Sequence, residues 1–276
     1  MPEAEASAVR TGVGDGTGGL FAGAVSEVDA VGIRHGGVGG AGRRFVRDPR
    51  AVVGLVMVAT VVLTAVLAPA LAPFDPEQQD LTNFLQGPSW DHWLGTDPLG
   101  RDQLSRMVYG SRIAVTVGLA SIVLATAIAV VVGSVAGYQG RRWDSVLMRV
   151  TEMFYAFPPI VGLIVIIVVL GRGIPTIVVA LGLFGWATMA RVLRASILTI
   201  REAQYVEAAR GLGATSWWVV TRHVLPNSLG PLLVIAVARV ATAILALAGL
   251  TFLGIGLEAD TPDWGAMAAA GNQFFG

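Results

Sequence analysis

Hydrophobic residues in this chain come in long unbroken runs, not in the spaced stripes of soluble helices. The first, about residues 51–72, is long enough to cross a hydrocarbon core of roughly 30 Å. Further runs cover about 113–137, 153–170, 174–190 and 231–257. The pattern predicts an all-α polytopic membrane protein with five visible spans. Pro69 and Pro73 close the first run, and Pro158 and Pro159 stand near the start of the third. The second ends in Gly133-x-x-x-Gly137, a spacing that lets another helix approach closely, although a chance pair facing lipid competes with that reading.

The polar intervals orient these spans. Residues 1–42 are glycine-rich with little aliphatic periodicity, and such a segment cannot bury enough apolar surface to offset its ordering entropy, so a disordered tail is expected there. Its Gly37-Val38-Gly39-Gly40-Ala41-Gly42 fits a dinucleotide fingerprint, yet no strand precedes it and no βαβ unit follows, so chance explains it. One set of loops holds twelve arginines: 43, 44, 47, 50, 141, 142, 149, 191, 194, 201, 210 and 222. The opposite set holds four, Arg101, Arg106, Arg112 and Arg172. The positive-inside rule then puts the N-terminus and the 191–226 segment in the cytoplasm. Nothing after Leu257 is long enough to span a bilayer, so five spans leave the C-terminus outside.

Composition narrows the function classes. Only 14% of the 276 residues are charged, against about 25% in soluble domains. Mean hydropathy is +0.67, so the bilayer is the main solvent. A net charge of zero argues against a nucleic-acid partner. With no cysteine, disulfides and thiolate metal sites are excluded. His35, His92 and His223 lie in three separate segments and give no paired metal-ligand spacing. There is no G-x-S-x-G elbow, so a membrane-embedded enzyme is the weaker class. All 19 basic residues are Arg, and a Walker A loop needs a Lys for the phosphates.

Two polar stretches carry most of the remaining pattern. Thr199-Ile200-Arg201-Glu202 fits a capping box, predicting a helix with Tyr205, Ala209 and Leu212 on one face and Gly213 closing it at positive φ. Ala208 and Ala209 keep that helix slim, and Glu207 projects from it. A solvated helix with Glu207 paired to Arg210 is the bland alternative. A second short helix, from about Ser216, would set Trp217 and Trp218 at headgroup level. In the outer segment Asp102 is placed to cap a helix presenting Leu104, Met107 and Val108, expected to lie in the interface ahead of the second span.

Glu207-Ala208-Ala209, three residues, Gly213, nine residues, then His223-x-Leu225-Pro226 resembles the EAA loop of ABC-importer permeases. His223 stands where the general pattern has an aliphatic residue, but the peptide-type permeases often read His-x-Leu-Pro-Asn, as residues 223–227 do here. A second stretch, His92-Trp93-Leu94-Gly95-Thr96-Asp97-Pro98-Leu99-Gly100-Arg101-Asp102, is similar to the C-type subunit of the dipeptide/oligopeptide permease family. So is a third: Gly137-Tyr138, Trp143, Met148-Arg149, Glu152 (where the family usually has Asp) and Ala156-Phe157-Pro158.

The resemblance covers about residues 45–276 and implies the type I ABC-importer transmembrane fold in the bacterial plasma membrane, with a permease domain over 43–276. That family usually has six helices, one more than is visible here. It implies that Glu207, Ala208, Ala209, Gly213, Leu225 and Pro226 couple the pore to an ATPase. The implied partners are a homologous permease as heterodimer, two cytoplasmic ATPase subunits that bind ATP and Mg, and an extracytoplasmic peptide-binding protein. The chain itself would hold no cofactor or metal and would form half of the pathway for short peptides. Nickel or glutathione are the alternative cargoes; a passive channel would leave the EAA-like loop unexplained.

Arg239 stands apart from the resemblance, because the family commonly has an uncharged residue there. It lies about 10 Å into the fifth run at the helical rise. A guanidinium at mid-bilayer costs about 2.5–3.5 kcal/mol on the lenient insertion scale. Facing a pore and snorkelling back to the headgroups are both open readings.

Overall fold

The computed structural model describes residues 45–258 and 260–274. The glycine-rich tail expected over 1–42 lies outside them. The chain divides into two compact units, Met1–Val56 and Met57–Gly276. The boundary falls inside α1 (Pro49–Val66). In the first unit Val53, Leu55 and Val56 are exposed, and in the second so are Met57, Val58, Leu63 and Val66, as suits side chains solvated by lipid. A single turn, α2 (Ala68–Leu71), follows, with Pro69 in its first turn, where a missing N–H costs nothing.

Residues 72–102 form an irregular segment with one 3₁₀ turn, Leu81–Asn83. The Asp80 side chain caps that turn, and hydrogen bonds from the Thr82 hydroxyl and amide hold its carboxyl below the usual range. Gly100, at φ +71, passes so close to Asp80 that a Cβ would lie 1.7 Å from its carbonyl oxygen. Only glycine fits there. Asp97, Arg101 and Arg106 are buried together: Arg101 Nε donates to Asp97 Oδ2 at 2.7 Å, and Arg106 Nη1 donates to the Pro76 carbonyl at 2.9 Å. Arg101 and Arg106 also reach Asp260, tying this segment to the C-terminal one.

The second predicted span needs correction. It is the 37-residue helix α3 (Gln103–Gln139), which begins ten residues before the apolar run, so no separate interfacial helix precedes it. Asp102 caps it as expected, its Oδ2 accepting from the Ser105 amide at 2.8 Å. Burial of Arg106 by protein carbonyl and carboxylate partners lets a charged residue sit within the helix, where a run-length reading sees a loop.

The third predicted span is broken. Helix α4 (Arg141–Ala156) and helix α5 (Pro159–Leu170) meet at 89°. Phe157 precedes a proline and is therefore driven to extended backbone, ψ 128, which ends α4. The fourth span is longer than its apolar run: α6 (Ile174–Ile200) continues ten residues past Ala190. Counting by length and composition, four helices among the described residues can cross a membrane, or five if the bent pair is one span.

A 3.6-residue repeat of small and aliphatic residues packs α3 against α6, the most extensive contact in the second unit. Gly133 and Gly137 lie at that seam. A Cβ on Gly133 would stand 2.9 Å from the Ala190 carbonyl oxygen, and one on Gly137 2.8 Å from Ile197 Cγ2. The close-approach reading of the Gly-x-x-x-Gly pair holds. The remaining helices are α7 (Gln204–Gly211), α8 (Ser216–Val219), α9 (Leu225–Phe252) and α10 (Trp264–Asn272). The fifth predicted span thus starts six residues early and stops at Phe252, and α10 packs on α9 and α3.

Candidate functional site

Helix α7 and its flanks carry the residues singled out for coupling. The expected capping box is absent: Thr199 is inside α6, where its hydroxyl donates to the Ala195 carbonyl at 3.2 Å, and Ala203 is the N-cap of α7 without a side-chain bond. What holds α7 is Val206, fully buried in the same core cluster as Val219, Val224 and Leu193, with Ala209 packed against that cluster. The predicted face was therefore misplaced, since Ala209 points in while Leu212 is 90% exposed. Val206 was missed because a single valine in a polar stretch gives no periodicity.

Gly213 has φ +87 and closes α7 as expected. Its amide donates to the Arg210 carbonyl at 2.9 Å and the Ala214 amide donates to that of Ala209 at 3.1 Å, which is the Schellman pattern. A Cβ on Gly213 would meet nothing within 4 Å, so conformation and not space demands glycine. Glu207 and Ala208 are exposed. The bland Glu207–Arg210 pair is not formed; Arg210 instead lies over the Tyr138 ring at the end of α3, 5.3 Å from its centroid.

Leu225 and Pro226 begin α9, and the reason for the local geometry is Pro226. It has no N–H for the Arg222 carbonyl and its ring would press on that oxygen. The helix widens to a π segment over Val220–Val224, with the Leu225 amide donating to the Val220 carbonyl. Asn227 Nδ2 donates to the His223 carbonyl at 2.6 Å and Ser228 Oγ to that of Val224 at 2.7 Å, satisfying backbone groups that the widening strains. The His223 ring stands 4.9 Å from that of Trp218 and 6.1 Å from that of Tyr205, centroid to centroid. Thus α7, α8 and the π segment form one patch with Glu207, Ala208 and Leu212 outward.

Two family models match the chain. Residues 129–275 match the binding-protein-dependent transport system inner membrane component, and residues 39–88 match the N-terminal transmembrane domain of oligopeptide transport permease C. The chain belongs to this permease family. It is a multi-pass inner-membrane transport subunit. It is similar to the oligopeptide transport system permease protein OppC of Bacillus subtilis, at 38% identity over 83% of this chain and 75% of that one. The dipeptide transport system permease protein DppC of the same organism is 39% identical over 83% of this chain and 72% of that one. The glutathione transport system permease protein GsiD of Pectobacterium atrosepticum is 36% identical over 82% and 75%.

The permease holds no group of three or more His, Asp or Glu arranged for a metal among the described residues. Arg239, the remaining candidate, is in the middle of α9 and partly buried. Its guanidinium donates to Thr188 Oγ1 of α6. Sequence gave no reason to expect Thr188, because one threonine in an apolar run is unremarkable.

Proposed function

We propose that this permease forms half of the translocation path of an ATP-driven importer of short peptides. A homologous permease would supply the other half, two cytoplasmic ATPase subunits would bind ATP and Mg, and an extracytoplasmic binding protein would deliver cargo. The N-terminus and α7 are then cytoplasmic, as the arginine asymmetry argues. Cargo follows the printed names of the oligopeptide and dipeptide relatives.

The observation that carries the coupling part is the outward face of α7. Glu207 makes no ion pair among the described residues, Ala208 keeps the surface slim, and Leu212 offers an exposed apolar contact. A helix of that shape fits a groove on another protein, with Glu207 available to an arginine or backbone amides there. Gly213, Leu225 and Pro226 hold the turn and the helix start behind it. Closure of the ATPases on ATP would shift the population between inward- and outward-facing states through this contact.

Reconstitution of the complete complex in proteoliposomes tests the reading. Uptake of a labelled tripeptide should require ATP and the binding protein, and Glu207→Arg should abolish it by charge reversal while the chain still inserts. Normal uptake and normal ATPase affinity in the Glu207→Arg complex would remove α7 as the docking helix.

A further inference from the structure

Arg239 sits eight residues beyond Pro231, where the apolar run of α9 begins, and thirteen before Phe252, its end, or about 12 and 20 Å along the axis. Its guanidinium donates to Thr188 Oγ1, at the middle of α6, and Thr188 Oγ1 is in turn hydrogen-bonded to the Tyr155 hydroxyl at 2.7 Å. The Tyr155 ring, at the end of α4, carries the Arg191 guanidinium 3.8 Å from its centroid. Four side chains from three helices therefore make one connected polar cluster, so Arg239 is held by protein groups rather than left to lipid.

The acids nearest in sequence are committed elsewhere. Asp144 is held by Arg194 and Glu152 lies 3.5 Å from Arg149. Among the described residues no carboxylate comes within ion-pair distance of Arg191 or Arg239. Two permanent positive charges are thus positioned by hydroxyls and a ring, with most of their N–H donors unspent. Tyr155 and Arg191 are exposed, so a solute can reach them.

We infer that Arg239, Thr188, Tyr155 and Arg191 form a carboxylate-binding site for the C-terminal end of the cargo, which rests on the peptide-import reading above. Arg239 presents donors at the depth of Thr188, and Arg191 repeats the charge one turn along α6, about 4.5 Å further. Two cations a turn apart suit an anion that moves, whereas a fixed acid on a neighbouring subunit needs one. An apolar cavity of about 370 Å³, lined by Phe154, Phe157 and Phe184 among others, lies on the same stretch of α4 but includes none of the four polar side chains.

The absence of cysteine from this chain makes a direct test available. Thr242→Cys, one exposed turn beyond Arg239, is a reporter in the complete complex, read by the mass of this chain. Sulfonatoethyl and trimethylammonioethyl methanethiosulfonate are compared, anionic against cationic. The anionic reagent should react several-fold faster, relative to free cysteine. Arg239→Gln should erase that preference and Arg239→Lys should keep it. Trialanine should slow the anionic reaction, and its C-terminal amide should not. In uptake, Arg239→Gln should slow trialanine import about tenfold with assembly intact. Equal reactivity with both reagents, no reactivity with either, or a preference unmoved by Arg239→Gln each overturns the site; the last is what a neutralising acid on the partner permease gives. Should the wild-type complex fail to import trialanine while the charge preference and its loss persist, the peptide reading fails and the anion site stands.

Discussion

Arg194 grips Asp144 through two parallel bonds, Nε to Oδ1 and Nη2 to Oδ2, across fifty residues of sequence. The pair fastens α4 to α6, and α4 is the amphipathic half of the broken span. Both side chains are partly exposed, at 29% and 22%, so the pair ranks between a surface contact and a buried one. Asp144→Ala should cost about 1–2 kcal/mol, lowering the thermal midpoint of the purified chain by about 3–6 °C. The swap Asp144→Arg with Arg194→Asp should recover part of that loss. A midpoint unchanged by Asp144→Ala would mean that the pair contributes nothing.

Gly213 offers a graded test of the turn behind α7. With no neighbour to strike, the penalty of a side chain is conformational only, about 1–2 kcal/mol for an ordinary residue at positive φ. Asparagine tolerates this region, alanine less, and β-branched residues least. ATP-driven uptake should therefore fall in the order Gly213→Asn, Gly213→Ala, Gly213→Val, with membrane insertion unaffected. An order that follows side-chain volume alone would show that crowding against a partner, not backbone geometry, matters here.

The seam between α3 and α6 gives the opposite case. Gly133→Ala places a methyl against the Ala190 carbonyl, and backbone cannot swing aside as a side chain can. Destabilisation of about 1–3 kcal/mol is expected in the purified chain, from overpacking. Gly249→Ala in α9, where a Cβ meets nothing within 4 Å, should be neutral or stabilising by up to about 1 kcal/mol. Thermal unfolding of the two variants side by side separates contact from propensity. Equal effects would contradict the close approach.

A topology experiment checks the arginine argument independently. A reporter fused near residue 85 should read extracytoplasmic, and one near residue 210 cytoplasmic. The reverse pattern would overturn the orientation and the docking role of α7 together.

Apolar run length located the helices behind four of the five predicted spans but not their ends, and it ran the bent pair α4 and α5 together. Arg106 sits in α3 because Asp97 and two carbonyl groups receive it, and no local pattern encodes partners that lie 9 to 154 residues away. Arg191 and Arg194 looked like loop residues, yet Tyr155 and Asp144 hold them on the extended α6. Thr199 imitated a helix cap while bonding back to its own helix. Gly213, Asp102 and the Gly133/Gly137 pair were legible because each answers a local geometric demand. The Arg239 cluster was half legible: depth in the run marked the arginine, but three helices had to fold before Thr188 and Tyr155 could be seen as its company.

From Ser216 through the π segment to Phe252 the backbone is one uninterrupted helical rod of 37 residues, about 55 Å long. Its weak points, the π segment and Pro231, both lie near the end beside α7, and beyond Pro231 the helix runs unbroken to Phe252. A pull at Trp217 that is not taken up there appears as tilt, and about 10° of tilt around the midpoint carries each end about 5 Å in opposite directions. Arg239, close to that pivot, would turn in place while both mouths of the path trade width.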